Sequence, residues 1–222
     1  MNEKMNEIQN FSELEEKILQ KYLSHNFGKN LIIQNEFDFD GQKIQILKSL
    51  PTKKNPYQIL VTKGASTRKM NVPEQLAQYK LERAEFIIRL PENWEIDETK
   101  SLTEKGNNWP IKLLQNVSTI AFRENGYLCW GKTISNENFA PYASNTNFCG
   151  FILVKPIFLR HGLEFCKISK TEDINFYEII PLYKEEIEFK LENSAEKLLT
   201  KLGGFVVLPV NPTRENVCID DN

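Results

Sequence analysis

The fold is decided by the stretch Tyr57-Gln58-Ile59-Leu60-Val61-Thr62, which is followed by Lys63-Gly64-Ala65-Ser66. Its first six residues are mostly apolar, aromatic or β-branched, a composition that favours a strand, and the glycine ends the run. Three similar runs flank this one: Leu31 to Ile33, Ile44 to Leu47 and Phe86 to Leu90. The intervening segments Asp40-Gly41, Leu50-Pro51 and Asn71-Val72-Pro73 are typical of turns. The N-terminal part of the chain therefore predicts several strands of one sheet.

Helices are predicted before and after these strands. Ser12 and Glu15 have the spacing of a capping box, in which each side chain bonds the backbone of the other, so a first helix is expected over residues 12–26. A second helix fits Pro110 to Arg123, because Asn108 can cap it and apolar residues recur there every three or four positions. The two helices supply apolar faces that can cover a sheet.

The C-terminal part repeats the mixture of strands and helices. Strands are predicted at Phe151 to Val154 and Ile174 to Leu182, and a helical region with a break at Asn193-Ser194 follows Pro181. The predicted fold class is α/β in the α+β sense, with a mixed β-sheet packed with helices. We find no internal repeat, low-complexity tract or linker, so a single domain is expected over residues 1–222.

Composition and charge narrow the classes of partner. The chain has 41% hydrophobic and 26% charged residues, so it is expected to fold. The net charge of -2 gives no field that would hold a nucleic-acid backbone, and nucleic acid is disfavoured as a partner. The first residues include acidic side chains with no apolar run behind them, and no later run approaches the roughly 20 apolar residues of a membrane span. We therefore expect a cytoplasmic protein that does not enter a membrane.

Cysteine and histidine give little support for catalysis or metal binding. The four cysteines, Cys129, Cys149, Cys166 and Cys218, lack the close spacing of a zinc site or a redox pair, and are expected to be small, mostly buried side chains. The two histidines, His25 and His161, have no recognisable nucleophile or ligand beside them. We predict no catalytic, cofactor-binding or metal-binding residue. A site assembled from distant cysteine and histidine residues stays open as an alternative.

One segment matches the consensus of a nucleotide-binding loop letter for letter. Gly126 to Thr133 reads Gly-Tyr-Leu-Cys-Trp-Gly-Lys-Thr, the pattern of a P-loop. A P-loop follows a strand and opens a helix, whereas this segment follows a predicted helix and precedes a polar loop. Its bulky side chains favour a buried strand that carries Trp130, so no nucleotide cofactor is expected. The loop over residues 130–148 is long for a compact domain and is the place where an enzyme would carry its site.

Charge is unevenly distributed along the chain. Between residues 48 and 73 there are six basic residues and no acidic ones. Between residues 171 and 196 there are eight acidic residues against Lys184 and Lys190. Two opposite patches favour electrostatic steering of a protein partner, although solvated surfaces are the more common explanation of such a pattern. The four-residue segment Glu185-Glu186-Ile187-Glu188 fits the first turn of a helix better than a pair of catalytic carboxylates.

Over residues 58–217, the chain resembles the suppressor of fused (SUFU) domain in the form found in short bacterial proteins. Seven pieces in the same order carry the resemblance: Leu60 to Ser66; Leu81 to Phe86 with Leu90 to Trp94; Asn108 to Ile111; Trp130 to Ile134; Pro141 to Phe148 with Gly150; Ile174 to Phe176 with Pro181 to Glu186; and Arg214 to Val217. A departure is Ala65, where this family often has methionine. Under this resemblance, Trp130 to Ile134 is a family element and the P-loop lysine is incidental.

The resemblance implies a sandwich of sheet and helices that binds another protein and has no catalysis of its own. The residues that match the family pattern are Gly64, Ser66, Trp109, Pro110, Trp130, Gly131, Thr133, Pro141, Asn145, Phe148 and Gly150. Bacterial members are associated with toxin systems, which implies an immunity protein, or antitoxin, that neutralises a cognate toxin. The acidic tract from Glu172 to Glu196 suits a toxin of the nuclease type, because an acidic patch could occlude a basic cleft. The alternatives are a scaffold that sequesters another cytosolic protein, or an enzyme that uses the 130–148 loop. The predicted partner-binding residues are Glu172, Asp173, Glu185, Glu186, Glu188, Tyr142 and Asn145.

Overall fold

The structure, a computed structural model, describes residues 11–53, 55–96, 106–204 and 209–219. Within these residues four helices flank one mixed sheet. The helices are α1 (Glu13–Phe27), α2 (Trp109–Arg123), α3 (Lys184–Glu192) and α4 (Ala195–Lys201). The strands are β1 (Ile32–Phe39), β2 (Gln42–Ser49), β3 (Tyr57–Lys63), β4 (Ala84–Pro91), β5 (Thr133–Ser135), β6 (Gly150–Val154), β7 (Phe165–Lys167) and β8 (Asp173–Leu182).

The sheet joins two parts of the chain through its centre. Its order is β1-β2-β3-β4-β8-β6-β5, and β7 pairs with the N-terminal part of β8. The contact of β4 with β8 is parallel, and the other described pairings are antiparallel. Parallel neighbours need a crossover, and the long segment between β4 and β8, which contains α2, provides it. The result is the predicted mixed sheet packed with helices.

Helices cover both faces of the sheet. The apolar side of α2 packs with residues such as Leu60, Phe86 and Leu153. On the other face, α1 packs with the β2, β3, β4 and β8 side chains through Leu19, Leu23 and Phe27, while α3 and α4 cover β6. Alternation along the strands produces this division, because successive side chains point to opposite faces. No helix among the described residues has the length and apolar character needed to cross a membrane.

The predicted helices are confirmed in kind and position. Ser12 accepts a hydrogen bond from the backbone of Glu15, and the Glu15 carboxylate accepts one from the backbone of Ser12, so the capping box forms. The predicted break at Asn193-Ser194 separates α3 from α4, and the Ser194 hydroxyl caps α4 by accepting from the Lys197 backbone. Asn108 precedes α2, but its side chain makes no cap hydrogen bond there.

The strands differ from the sequence-based prediction in three ways. The segment from residue 126 to residue 132 is irregular, and Trp130 lies in a turn with 37% of its surface exposed, so no buried strand carries it. β5 and β7 were not expected, because each has only three residues and lies within a polar stretch. β1 extends to Phe39, well beyond the short run that was predicted, because its partner β2 continues the pairing through Gln42.

A buried carboxylate fixes the turn that follows β3. Glu85 on β4 accepts hydrogen bonds from the hydroxyls of Thr62 and Ser66 and from the backbone of Gly64 and Ser66. Burial raises the pKa of Glu85, although each of these hydrogen bonds acts to lower it. Gly64 has φ +108°, and a Cβ there would lie 2.4 Å from the carbonyl oxygen of Lys43, so no other residue fits without a backbone shift.

Candidate partner-binding groove

An open groove of about 920 Å³ lies beside α2. Its floor is the polar side of α2, and Phe37 and Phe39 of β1 lie along one side. The opposite side is formed by residues 136–142, which we call the strap. This volume lies within the usual range for pockets that hold ligands. The groove is therefore a candidate binding site.

The floor of the groove follows from the amphipathic sequence of α2. Lys112, Asn116, Thr119 and Arg123 recur at intervals of three and four, which places them on one side of the helix. The opposite side is apolar and packs into the core, so the polar row points away from the sheet. The Arg123 guanidinium donates to the side-chain oxygen of Asn116. The groove therefore presents two cations and an amide on a rigid element.

Aromatic rings close the groove at the N-terminal end of α2. The rings of Trp109 and Tyr142 are stacked with centroids 5.4 Å apart and planes 5° apart. Trp94 meets Trp109 edge to face, and its indole N–H donates to the backbone of Asn107. Burial raises the pKa of Tyr142 well above its ordinary value. Stacking on Trp109 fixes the C-terminal end of the strap against α2.

The strap itself is held in an uncommon conformation. Asn138 and Phe139 are consecutive non-glycine residues with φ of 52° and 54°. Such backbone angles cost free energy, and here the Asn136 amide compensates by donating to the carbonyl of Ala140. A second cavity of about 600 Å³ lies beyond the strap and is lined by Phe139, Cys149 and the start of α3. The strap therefore separates two cavities.

Several of the predicted partner-binding residues lie around these two cavities. Tyr142 lines the groove, and Asn145 is exposed and donates to the side-chain oxygen of Asn107. Glu185 lines the second cavity and accepts a hydrogen bond from Asn216. Glu188 is exposed on α3 and lies 3.6 Å from the amine of Lys184, one helical turn away. Partner binding by these four residues stays a prediction.

Glu172 and Asp173 lie elsewhere, at the start of β8, where three cations contact them. Glu172 pairs with Lys69 and with Arg83, which lies 2.9 Å away, and Asp173 pairs with Lys80 at 3.3 Å. Burial opposes the charge of Glu172, but the two cations outweigh it and hold its pKa below the ordinary value. The ion pair between Lys69 and Glu172 therefore joins the basic tract to the acidic tract, while Lys80 and Arg83 lie outside the basic tract.

Glu186 is not available to a partner, which corrects its assignment from sequence. Its side chain is 0% exposed, and the Arg214 guanidinium donates to both of its oxygens. Its oxygens also accept from the backbone of Tyr183 and Val217. The Arg214 guanidinium also lies over the neighbouring rings of Phe148 and Tyr183, 4.9 Å from each centroid. Glu186 thus anchors the C-terminal segment to α3.

Most residues that match the family pattern are used in turns, in close packing or in strand pairing. Gly64 and Ser66 form the turn around Glu85, and at Gly150 a Cβ would lie 2.6 Å from the carbonyl of Ile134. Gly131 has φ +77° and faces Ala195 on α4, while Thr133 pairs with Ile152. Of the eleven residues in this pattern, Trp130, Pro141 and Asn145 are exposed, and the others are buried or half-buried.

Comparison with known proteins agrees with this pattern. The family model described as suppressor of fused protein (SUFU) matches residues 40–215. The chain belongs to the suppressor of fused family. The match begins 18 residues earlier than the resemblance over residues 58–217 and therefore includes β2. No curated protein sequence matches the chain.

Solved structures of suppressor of fused proteins share the fold. A putative homologue from Neisseria gonorrhoeae is 16% identical, with a TM-score of 0.58 over 93% of this chain and 96% of that one. The structure of the Sufu-Fu complex is 15% identical, with a TM-score of 0.62 over 90% of this chain and 91% of that one. Suppressor of fused from Drosophila is 16% identical, with a TM-score of 0.53 over 79% of this chain and 42% of that one.

Within this suppressor of fused fold, the nucleotide-loop match has the wrong surroundings. Its residues follow α2, and the element that comes after Lys132 is strand β5. The backbone of Gly131 donates to Leu153, and the backbone of Leu153 donates to Lys132, so the segment is used to extend the edge of β6. A phosphate cradle needs free amides at the start of a helix. The geometry agrees with the interpretation of Trp130 to Ile134 as a family element.

Candidate nucleophiles and bases are scattered. His25 and His161 are exposed on α1 and in a turn, and neither lines the two cavities. All four cysteines are free. Burial and the nearby α3 carboxylates raise the pKa of Cys149 to about 11, so its thiol is protonated at neutral pH. Among the described residues, no three His, Cys, Asp or Glu side chains are grouped so that they could hold a metal ion.

Sequence reasoning missed the residues that define the groove. Lys112 and Arg123 lie on the polar side of α2, a helix that was predicted. Their positions opposite its apolar stripe could have indicated an exposed polar surface. Phe37 and Phe39 belong to the part of β1 that was not predicted. Their alternating positions would have indicated a common face of a strand.

Proposed function

We propose that the chain works as a binding protein that holds another protein in the groove between α2, β1 and the strap, with no catalysis of its own. The observation that carries the proposal is the lining of the groove, where aromatic rings, amides and two cations lie on a rigid helix and strand. Such mixed surfaces are typical of protein interfaces, in which aromatic residues and arginine are enriched. Membership of a family with a solved Sufu-Fu complex supports the same conclusion.

Affinity capture with a blocked groove tests this proposal. Asn116→Trp places a large ring on the groove floor from a half-buried helix position, so the groove closes while the core is untouched. We expect the wild type to retain a partner from its own cells and Asn116→Trp to lose that partner. Lys197→Trp, at an exposed position on α4, is the matched control and should retain it. A partner that Asn116→Trp also retains would place binding elsewhere.

We further propose that the partner is a cognate toxin and that the chain acts in the cytoplasm as its immunity protein. Support comes from the resemblance to short bacterial members and from the Neisseria gonorrhoeae homologue, nearly all of whose chain is matched. Four free cysteines suit a reducing compartment. The acidic tract gives little support for a nuclease-type toxin, because Glu172, Asp173, Glu178 and Glu186 each contact a lysine or arginine of the same chain.

Co-expression distinguishes this role from sequestration of another regulator. If the partner is a toxin, its expression alone stops growth, co-expression of the wild-type chain restores growth, and Asn116→Trp fails to restore it. A captured partner that is harmless when expressed alone supports the regulator, the role closest to that of the protein in the Sufu-Fu complex. Purified complex that converts no substrate of the partner would also agree with inhibition by binding.

A further inference from the structure

We propose that the groove takes an extended, acidic segment of the partner, four to six residues long. This inference rests on the proposed function, because it specifies what the same groove holds. Its first support is charge. The groove is lined by the cations Lys112 and Arg123 and by a lone carboxylate, that of Glu137.

The two cations are not neutralised by the described chain. Elsewhere the buried cations Arg83 and Arg89 and the half-buried Arg214 each contact a carboxylate, whereas Lys112 and Arg123 are exposed side chains of the groove. Lys112 and Arg123 contact none within the described residues, and the guanidinium of Arg123 bonds only to oxygens of Asn116. Carboxylates are the complementary groups, because charge-assisted hydrogen bonds are shorter and stronger than neutral ones.

The spacing of the cations indicates the conformation of the segment. Lys112 and Arg123 are separated by three helical turns, or about 16 Å along α2. An extended chain covers that distance in about five residues, at about 3.3 Å each. A helix would need about eleven residues to cover it, and a helix with its side chains is about 10 Å wide. A cavity of about 920 Å³ fits the short extended segment better.

The aromatic and amide side chains of the groove indicate what else the segment carries. Phe37, Phe39 and Tyr142 give the groove an apolar part that can bury an aliphatic or aromatic side chain. Gln115, Asn116 and Asn136 offer amides, and an extended segment has free backbone groups for them. The segment we infer therefore has acidic residues spaced to meet the two cations and at least one apolar residue to contact the aromatic rings.

Peptide binding tests the inference directly. The probe is a fluorescein-labelled hexapeptide with glutamate at both ends and leucine and phenylalanine between them, and the comparison peptide has lysine at both ends. We expect fluorescence anisotropy to show binding of the acidic peptide only, weakened by added salt. The double variant Lys112→Gln with Arg123→Gln should weaken binding about tenfold, the sum of two modest ion pairs. The control Lys29→Gln with Lys53→Gln, at exposed positions outside the groove, should bind as the wild type does.

Several results would overturn the inference. Equal binding of the lysine peptide, no binding of the acidic peptide at millimolar concentration, or full binding by the groove double variant would each do so. Failure of the proposed function is distinguishable from these results, because it is measured with the whole partner. If Asn116→Trp releases the captured partner but the groove double variant keeps it at full affinity, the groove binds proteins and the acidic segment is wrong.

Discussion

At the scale of single residues, three fully buried carboxylates organise the molecule in different ways. Glu85 is satisfied by hydroxyls and backbone amides, and Glu186 by both arms of Arg214. Glu178 on β8 lies 2.6 Å from the guanidinium nitrogen of Arg89, and its second oxygen has no hydrogen-bond partner within the described chain. A buried carboxylate that is only partly compensated favours its neutral form.

Glu178 should make stability depend on pH. Burial raises its pKa from 4.5 to about 7, against the opposing effect of Arg89. The folded state then holds a proton that the unfolded state releases above pH 4.5, so this contribution to stability is complete below pH 4.5 and is lost as the pH rises through 7. We expect the free energy of unfolding to fall by up to about 3 kcal/mol between pH 5 and 8.

Urea unfolding at a series of pH values measures this effect. Glu178→Gln, which cannot ionise, should flatten the dependence, although Glu85 contributes in the same direction because its pKa is also raised. Glu92→Gln, at an exposed position, is the control and should keep the wild-type profile. A Glu178→Gln profile as steep as that of the wild type would show that Glu178 stays ionised in the fold.

Arg214 should contribute more to stability than its position near the end of the chain indicates. Arg214→Ala leaves Glu186 buried without its cation, which costs about 3 kcal/mol. Arg160→Ala, at an exposed position, should change the free energy of unfolding by less than about 0.5 kcal/mol. Urea denaturation of both variants decides the point. Equal stability of the two would mean that the contact with Glu186 forms weakly in solution.

Pairings of this kind are not predictable from a single sequence. Glu186 and Arg214 are separated by 28 positions, and Arg89 and Glu178 by 89. Counting charges along the chain therefore placed Glu186 in an exposed acidic patch, whereas the fold buries it. The predictable part was local, such as the capping box of Ser12 and Glu15, because both partners lie within one helical turn.

At the scale of elements, α1 shows how much one helix contributes to the free energy of unfolding. Leu23 is 0% exposed and packs against the sheet, while Leu14 on the same helix is 68% exposed. Leu23→Ala should lower the free energy of unfolding by about 3 kcal/mol, because it removes buried surface and leaves a cavity. Leu14→Ala should change it by less than about 0.5 kcal/mol. Chemical denaturation of both variants is the measurement, and similar losses would mean that α1 does not pack as described.

Length explains which elements sequence patterns found and which they missed. The long helices α1 and α2 and the long strand β8 carry enough turns or alternations for a periodic pattern to be visible. β5 and β7 have three residues each, too few for any alternation, and they are strands because β6 and β8 offer them an edge. The groove was missed for a related reason, since its walls come from β1, α2 and the strap, which are distant in sequence.

At the scale of the whole molecule, we propose that the chain unfolds as one domain, because a continuous sheet runs through both halves. Two of the three tryptophans, Trp94 and Trp109, lie in the core between α2 and the sheet, so tryptophan fluorescence reports mainly on that side. Far-UV circular dichroism reports on α1, α3 and α4 as well. We expect the two signals to coincide in one urea transition. Two separate transitions would show that one face of the sheet unfolds independently.

The parallel pairing of β4 with β8 also has a consequence for biosynthesis. β4 ends at Pro91 and β8 begins at Asp173, roughly 80 residues later. At ribosomal rates of about 5 to 20 residues per second, β4 waits about 4 to 16 s for its neighbour. During that time the nascent chain presents an open strand edge in which six of the eight residues are apolar, the kind of surface that chaperones cover and that aggregates when they do not. The cell therefore has to protect the future centre of this sheet before the sheet exists.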